Sequence, residues 1–324
     1  MTASLIRLLN WNDYTAPAVL ARFAAETGIA VEEVFVERNE DYIDRVTAGE
    51  VFDVIMPTDW AAAALANAGL LQPLDMERLP NWRHVTQPSF QHPPYDIGVG
   101  DQKYTSVYMF GTEGFAVALD KVEKPRRSWE MLYDPTYAGQ IAMVDGSREV
   151  LAPALFLLGA GPNTTDRETI ERATQMAIEQ RRLVLAYDAQ DVTHRIVDGV
   201  PLVHCWDGDV AAALTRGATG IRYMLPREGY RLWADAPCIP ANAPDPDAAH
   251  RLLDFLLQPD VAAQNADFAG YQPVVPAAEP LIRSLVQRVV RPTDEQIAVG
   301  TFLRDLGEFN AVYEAAYQRV RAGG

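Results

Sequence analysis

Strand-like and helix-like segments alternate at short spacing through the first part of this 324-residue chain. Apolar runs typical of buried strands lie at residues 5–9, 31–36 and 52–56, and helical patterns follow them at residues 16–26, 40–47 and 60–68. Gly28 and Gly69 stand where two of these helices should end. The alternation predicts βαβ units and a parallel sheet. Because ligands of parallel sheets bind beyond the carboxyl ends of the strands, residues 11–14 and 58–60 are expected at one edge.

A second α/β pattern follows in the middle of the chain. Strands are predicted at residues 106–110, 115–119, 140–144, 183–187 and 202–206, with a helix near residues 150–158. Thr165 and Glu168 have the spacing of a capping box before an alanine-rich helix. Residues 252–257 read as the core face of a helix, and residues 302–317 as a terminal amphipathic helix. The fold class is therefore α/β, and the length allows two domains.

The charge balance is strongly acidic. Asp and Glu outnumber Lys and Arg by 44 to 28, which gives a net charge of −16. This argues against a nucleic-acid partner, which would require a basic patch, and favours attraction of cations. No apolar stretch reaches the roughly 18 residues of a membrane span. The chain starts with Met1, directly ahead of the first strand, and no leader peptide is predicted; either the protein is cytoplasmic or an initiator methionine stands in place of a removed leader.

The two cysteines, Cys205 and Cys238, lie in apolar runs far apart in the sequence. They lack the spacing of a zinc site or of a redox Cys-x-x-Cys motif. Buried free thiols are expected, and a single disulfide is the alternative in an oxidising compartment.

Tryptophans stand beside aspartates at several predicted strand ends. The pairs are Trp11 with Asp13, Trp206 with Asp209 and Trp233 with Asp235, while Trp60 directly follows Asp59. An aromatic face attracts an organic cation, and a carboxylate accepts its N–H bonds. The repeated pairing predicts a pocket for an amine, assembled from distant parts of the chain.

An ordered set of motifs resembles the spermidine/putrescine-binding proteins, the periplasmic receptors of polyamine ABC transporters. The motifs run in that family's order over essentially the whole chain: Asn10-Trp11-Asn12-Asp13-Tyr14, Glu26-Thr27-Gly28-Ile29, Ser147-Arg148-Glu149-Val150, Trp206-x-Gly208, Trp233-x-Asp235, Ile239-Pro240-Ala241-Asn242-Ala243 and Gly270-Tyr271. The resemblance implies a two-lobed periplasmic-binding-protein type II fold, with ligand trapped in the cleft by hinge closure. Lobe one would be residues 1–107 plus 236–276, and lobe two residues 108–235 plus 277–324, with the C-terminal tail packing on lobe two.

The resemblance also implies partners and a site. The chain would be a monomeric periplasmic receptor that delivers a polyamine to a membrane permease, with no cofactor, metal or catalytic residue. The implied ligand-binding residues are Trp11, Asn12, Asp13, Tyr14, Thr58, Trp60, Glu149, Trp206, Asp209, Trp233, Asp235 and Tyr271. Asp13 and Asp235 would be the carboxylates on the ligand's amines, and the tryptophans and tyrosines its walls.

Some positions depart from the family's pattern. Gly146 stands where spermidine-type receptors carry an acid, whereas Asp209 matches an acid of putrescine-preferring members. These two positions favour a shorter diamine. Glu113 falls near the implied hinge, where the family has an uncharged residue, and it is expected to be a salt-bridge partner.

The sequence also allows two other functions. A receptor for a zwitterion such as γ-aminobutyrate would need a cation for the ligand's carboxylate, and Arg148 is the nearest candidate. A metal-dependent transferase would use Asp207 and Asp209, since hard cations bind clustered carboxylates. The chain lacks a glycine-rich phosphate loop, and its five histidines have no metal-ligand spacing, which makes an enzyme the more distant alternative.

Overall fold

The computed structural model describes residues 4–96, 102–188, 191–283 and 291–323. The chain forms two compact units: unit 1 is Met1–Phe110 with Trp233–Leu285, and unit 2 is Gly111–Leu232 with Val286–Gly324. The first two boundaries lie three residues from the predicted ones at 107 and 235, and the last lies nine residues beyond the predicted one at 276. The last boundary moves because the turn Pro276–Leu281 packs on a helix of unit 1.

Unit 1 begins with alternating strands and helices. In chain order they are β1 (Ser4–Trp11), α1 (Pro17–Thr27), β2 (Ile29–Val36), α2 (Asn39–Thr47), β3 (Val54–Ile55), α3 (Asp59–Asn67) and α4 (Pro88–Gln91). The sheet has the order β2-β1-β3, and both strand pairs are parallel, so the predicted βαβ units are confirmed. Gly28 ends α1 in the left-handed conformation, with φ 74°, and its amide donates to the Ala24 carbonyl.

The loops that follow β1 and β3 lie at the same edge of this sheet, as the sequence predicts. Leu9 of β1 is in register with Ile55 of β3. The returning segment of unit 1 joins this edge, because Thr58 and Asp235 form an antiparallel bridge. Packing of the two loops and the returning segment therefore brings Asp235 next to the carboxyl ends of the parallel strands.

Unit 2 is built on a mixed sheet. Its strands are β4 (Met109–Ala118), which begins in unit 1, β5 (Ile141–Val144), β6 (Val184–Asp188), β7 (Leu202–Trp206) and β8 (Ile221–Met224). β4 pairs antiparallel with β7 and β8, and β5 pairs parallel with β6 and β7. The predicted strands at 106–110 and 115–119 are one continuous strand. Gly114 pairs with Cys205 of β7 within this strand, and the Met224 carbonyl of β8 occupies the space that a side chain at 114 would need.

Helices cover this second sheet. They are α5 (Ser147–Leu157), α6 (Arg167–Arg181), α7 (Val192–Val197) and α8 (Asp207–Thr215). The predicted cap at Thr165 is wrong by one residue: Asp166 is the N-cap of α6, and its carboxylate accepts from the Thr169 amide at 3.0 Å. A carboxylate is the stronger acceptor at the positive end of the helix dipole.

The chain then returns to unit 1 and ends in unit 2. After β9 (Leu232–Ala234), unit 1 receives α9 (Pro246–Leu256), α10 (Pro259–Ala269) and β10 (Gln272–Pro273), and unit 2 receives α11 (Asp294–Val299) and α12 (Phe309–Ala322). The terminal helix starts later than the predicted 302, and Tyr313 and Val320 bury its apolar side against α5 and α6.

Both cysteines are buried free thiols, as expected. Cys238 lies in the core of unit 1 and Cys205 in that of unit 2, and burial raises the pKa of each thiol. Separately, no helix among the described residues combines the length and apolarity that a membrane crossing requires.

Candidate functional site

A buried carboxylate, that of Asp235, is the centre of the candidate site in unit 1. Only 2% of the residue is exposed, and its Oδ2 accepts a hydrogen bond from the Tyr14 hydroxyl. Within the described residues no Lys, Arg or His forms an ion pair with it. Burial raises the pKa of Asp235 well above its ordinary value, nearby Asp59 adds to the rise, and the hydrogen bond from Tyr14 opposes it. The acid is thus held where a cation would stabilise its charged form.

Aromatic rings surround this acid. Trp233, two residues before Asp235, meets Tyr271 edge-on at a centroid distance of 4.9 Å. Tyr14 lies 6.0 Å from Tyr271 and 5.5 Å from Tyr108. The indole N–H of Trp233 is buried and has no hydrogen-bond acceptor among the described residues. The tertiary structure therefore brings together Tyr14, Trp233, Asp235 and Tyr271, which the sequence predicts as site residues.

Trp11 and Tyr42 close another side of the site. Trp11, the last residue of β1, is half-buried and meets Tyr42 edge-on at 5.0 Å. The Trp11 indole N–H is buried and has no hydrogen-bond acceptor among the described residues. The Tyr42 hydroxyl is buried and has no hydrogen-bond partner in the part of the chain that the structure describes. Sequence reasoning missed Tyr42, because it lies inside a helical pattern and reads as ordinary core.

The remaining predicted residues of unit 1 lie in the two loops at the sheet edge. Asn12 and Asp13 are exposed, and Asp13 has a positive φ of 53°, which turns the chain after β1. Thr58 and Trp60 are half-buried. Asp59, fully buried between them, was not predicted as a site residue, although its position next to Trp60 was a usable signal.

Trp206 and Asp209 lie in unit 2, where β7 passes into α8. Asp209 is half-buried; its Oδ2 accepts from the Trp206 amide at 3.1 Å and its Oδ1 from the Thr193 hydroxyl at 2.9 Å. Burial raises the pKa of Asp209 to about 6, and these hydrogen bonds oppose the rise. Asp209 thus lies in the first turn of α8 and accepts from the amide of the N-cap residue Trp206, which is a structural role.

Asp207, the first residue of α8, is a second buried acid in unit 2. It is 1% exposed, and its Oδ2 has no hydrogen-bond partner among the described residues. Burial raises the pKa of Asp207 to about 8, against hydrogen bonds from the backbone of Thr112 and Gly208. At neutral pH this carboxyl is therefore mostly uncharged.

Glu149 belongs to a buried network of charged side chains in unit 2. Its Oε1 accepts from Arg231 Nη1 at 2.5 Å, and the same nitrogen donates to Glu113 Oε2 at 2.7 Å. The other oxygen of Glu113 lies 2.9 Å from His204 Nε2. Glu113 is thus an ion-pair partner, as its position suggested. Arg231 was missed, because nothing in the adjacent sequence distinguishes it from a surface arginine.

Arg148 has a structural role. Its guanidinium donates to the Pro162 carbonyl at 2.6 Å and to Asn163 Oδ1 at 3.0 Å, and it lies 4.6 Å from the ring centroid of Tyr313. These contacts join the start of α5 to the loop before α6 and to α12.

A buried acid beside aromatic faces is an arrangement that suits an organic cation. Across the described ranges, no group of three or more His, Cys, Asp or Glu side chains has the arrangement of a metal site. Asp207 and Asp209 therefore form no metal centre with a third such ligand among these residues.

Comparisons with known proteins agree with this fold. Residues 18–287 match the family of bacterial extracellular solute-binding proteins. A spermidine/putrescine-binding periplasmic protein of Escherichia coli is 32% identical over 320 residues, which covers 97% of this chain and 90% of that protein. A putrescine-binding periplasmic protein of the same organism, PotF, is 27% identical and covers 98% of this chain and 91% of its own length.

The fold has a close counterpart among solved structures. The TpPotD lipoprotein of Treponema pallidum superimposes with a TM-score of 0.88 at 21% identity, covering 98% of this chain and 99% of its own. Fold similarity of this extent agrees with the sequence match over most of the chain. The chain belongs to the family of bacterial extracellular solute-binding proteins.

Proposed function

We propose that this protein is an extracytoplasmic receptor that captures a polyamine, putrescine or spermidine, and delivers it to the permease of an ABC transporter. Membership of the solute-binding family and the polyamine ligands named for its relatives support this function. The same family membership favours a periplasmic location and a role in transport without catalysis.

The observation that carries the proposal is the environment of Asp235. A carboxylate that is 2% exposed, bonded to a tyrosine hydroxyl and without an ion-pair partner among the described residues lacks a countercharge. Burying such a charge alone costs several kcal/mol, and a ligand ammonium would remove much of that cost. The rings of Tyr14, Trp233 and Tyr271 would add cation–π attraction of about 0.5–2 kcal/mol for each good contact.

Other predicted residues have supporting roles in this proposal. Asp13 would meet a second ammonium from its exposed loop, and Trp11, Asn12, Thr58 and Trp60 would complete the binding surface of unit 1. The contributions of Trp206 and Asp209 stay predictions that rest on the family resemblance. A diamine has an apolar chain between its charges, so both acids and aromatic faces are needed.

A zwitterion receptor is the alternative, and the cation it needs is not evident. Arg148 donates hydrogen bonds to Pro162 and Asn163, and Arg231 donates to the carboxylates of Glu113 and Glu149. A ligand carboxylate would have to displace these partners. We therefore favour an amine without a carboxylate.

Calorimetric titration tests the proposal. Protein stripped of ligand would be titrated with putrescine, spermidine, cadaverine, agmatine and γ-aminobutyrate. Binding of a diamine or triamine is expected. Heat from γ-aminobutyrate alone would favour the zwitterion receptor, and no heat from any of the five would contradict polyamine capture.

Variants would locate the site. Asp235→Asn and Asp13→Asn are each expected to weaken polyamine binding by about tenfold or more, since each leaves an ammonium without its carboxylate. Asp166→Asn, far along the chain in the cap of α6, is a matched control that removes the same charge. Unchanged affinity in both site variants would contradict this assignment.

A further inference from the structure

Tyr42 of unit 1 has a buried hydroxyl whose hydrogen-bonding capacity is unused within the described residues. The residue is 0% exposed, and its hydroxyl has no hydrogen-bond partner in those ranges. A phenol hydroxyl can both donate and accept, and an unpaired polar group of this kind costs about 1–3 kcal/mol in the interior. The ring lies edge-on to Trp11 at a centroid distance of 5.0 Å. Tyr42 therefore combines a packed ring with an unsatisfied polar group.

Backbone and side-chain contacts within unit 1 place Tyr42 beside the segment that carries Asp235. An antiparallel bridge between Thr58 and Asp235 joins this segment to the loop after β3. Asn39, the first residue of α2, accepts from the Thr58 amide at 3.0 Å with its Oδ1. Tyr42 lies one turn further along the same side of α2 and packs in one core cluster with Cys238, three residues after Asp235.

The charge of Asp235 acts on the Tyr42 hydroxyl. Burial raises the pKa of Tyr42 well above its ordinary value, and among the neighbouring acidic groups Asp235 adds most to the rise. The hydroxyl therefore stays neutral at neutral pH. The indole N–H groups of Trp11 and Trp233 are also buried and without an acceptor in the described ranges, but an indole only donates. Of these three groups, only the Tyr42 hydroxyl can accept a hydrogen bond from a cation.

A primary ammonium needs more than one acceptor. It carries three N–H donors, and each donor that is hydrogen-bonded in water but unpaired at the site costs binding free energy. The Oδ2 of Asp235 already accepts from the Tyr14 hydroxyl, which occupies part of the capacity of that carboxylate. A second acceptor close to Asp235 would pair with a further N–H of the ligand.

We propose that the Tyr42 hydroxyl accepts an N–H of the ligand ammonium that pairs with Asp235, and so makes the protein prefer a primary to a tertiary ammonium. The inference rests on the proposed function. A tertiary ammonium keeps a single N–H, which bonds to the carboxylate because a charged acceptor is the stronger one. Nothing then remains for Tyr42 to accept.

The test is the ratio of the dissociation constants of putrescine and N,N,N′,N′-tetramethylputrescine, measured by calorimetry on the full chain, with the weaker ligand in competition with the tighter one. Tyr42→Phe removes only the hydroxyl and keeps the ring that packs on Trp11. We expect the wild type to prefer putrescine, and Tyr42→Phe to lower that preference by about tenfold, the effect of one hydrogen bond to a charged group.

Tyr133→Phe is the matched control. The Tyr133 hydroxyl, in unit 2, is also buried and has no hydrogen-bond partner within the described part of the chain. Its removal should leave both the ratio and the affinity for putrescine unchanged. Neither variant should lower Tm, because each deletes an unpaired hydroxyl and keeps the ring.

The ratio separates contact with the ligand from a structural role of Tyr42. Loss of packing would weaken both amines alike, so an unmoved ratio in Tyr42→Phe would overturn the inference and leave polyamine binding standing. A wild type that binds the tetramethylated amine as tightly as putrescine would overturn it as well. A wild type that binds neither amine would overturn the proposed function, and the inference with it.

Discussion

Asp235 combines three features that are rarely stable together: a carboxylate, near-complete burial and no cation in an ion pair with it among the described residues. The Tyr14 hydroxyl supplies one hydrogen bond, but a buried charge needs more than one neutral donor. Burial therefore raises the pKa of Asp235, and the neighbouring charge of Asp59 raises it further. A bound ammonium would favour the ionised form of Asp235 and so lower its pKa.

Binding of a polyamine should release a proton from Asp235. A carboxyl with a raised pKa must lose its proton to pair with an ammonium, so putrescine affinity should fall as the pH is lowered through that raised pKa. The limiting slope is about tenfold per pH unit for one proton. Calorimetry in buffers of different ionisation enthalpy, repeated between pH 5 and pH 8, would measure the protons released.

The matching control is Asp235→Asn, which cannot release a proton. Its weaker binding should lose the dependence on buffer ionisation that the wild type shows. Equal proton release by the variant and the wild type would assign the titration to another group.

At the scale of single elements, acidic side chains accept hydrogen bonds at the starts of two helices of unit 2, α6 and α8. Asp166 caps α6 by accepting from the amide and the hydroxyl of Thr169, and Asp209 accepts from the amide that precedes α8. Both carboxylates face the positive end of a helix dipole. Thr165, the cap that the sequence favoured, stands one residue too early to do this for α6.

The cap of α6 can be tested by thermal unfolding. Asp166→Ala removes the acceptor for the Thr169 amide and should lower Tm by about 2 °C. Thr165→Ala, next to it in the chain, should change Tm by less. A larger loss from Thr165→Ala would restore the capping box predicted from the sequence.

At the scale of the whole molecule, the net charge of −16 determines the long-range attraction of cations to the protein. An acidic protein raises the local concentration of cationic ligands and speeds their encounter. Salt screens this attraction, with a Debye length of about 10 Å at 0.1 M.

Association with a polyamine should therefore depend on ionic strength. Raising salt from about 0.01 M to about 0.5 M should lower the association rate constant of putrescine by about tenfold, with a larger drop for spermidine. Stopped-flow tryptophan fluorescence, which Trp11 and Trp233 make suitable, would measure it. The dissociation rate should change much less, and an association rate insensitive to salt would contradict steering by the net charge.

Much of unit 1 could be predicted from local patterns. The alternation of strands and helices determined the parallel order of β1 and β3 and the shared edge of their loops, because apolar periodicity is a property of adjacent residues. The short spacing of Trp233 and Asp235 likewise predicted the two as a pair at a strand end, and β9 ends directly before Asp235. In unit 2, local pattern placed β7 correctly but divided β4 at its glycines, where strand propensity falls while tertiary contacts still hold the strand together.

The fold class, the acidic charge and the residue types suited to an amine follow from the amino-acid sequence alone. Which charged side chains have partners depends on tertiary contacts. Tyr14 and Asp235 are 221 residues apart, and Glu149 and Arg231 are 82 apart, so no periodicity or motif predicts either pairing. The free energy of a buried acid depends on whether its neighbour is a cation or a hydroxyl, and the neighbour is set by the folding of distant segments. Asp235, whose neighbour is the Tyr14 hydroxyl, is therefore suited to a ligand cation, whereas Glu149 is paired with Arg231 within the protein.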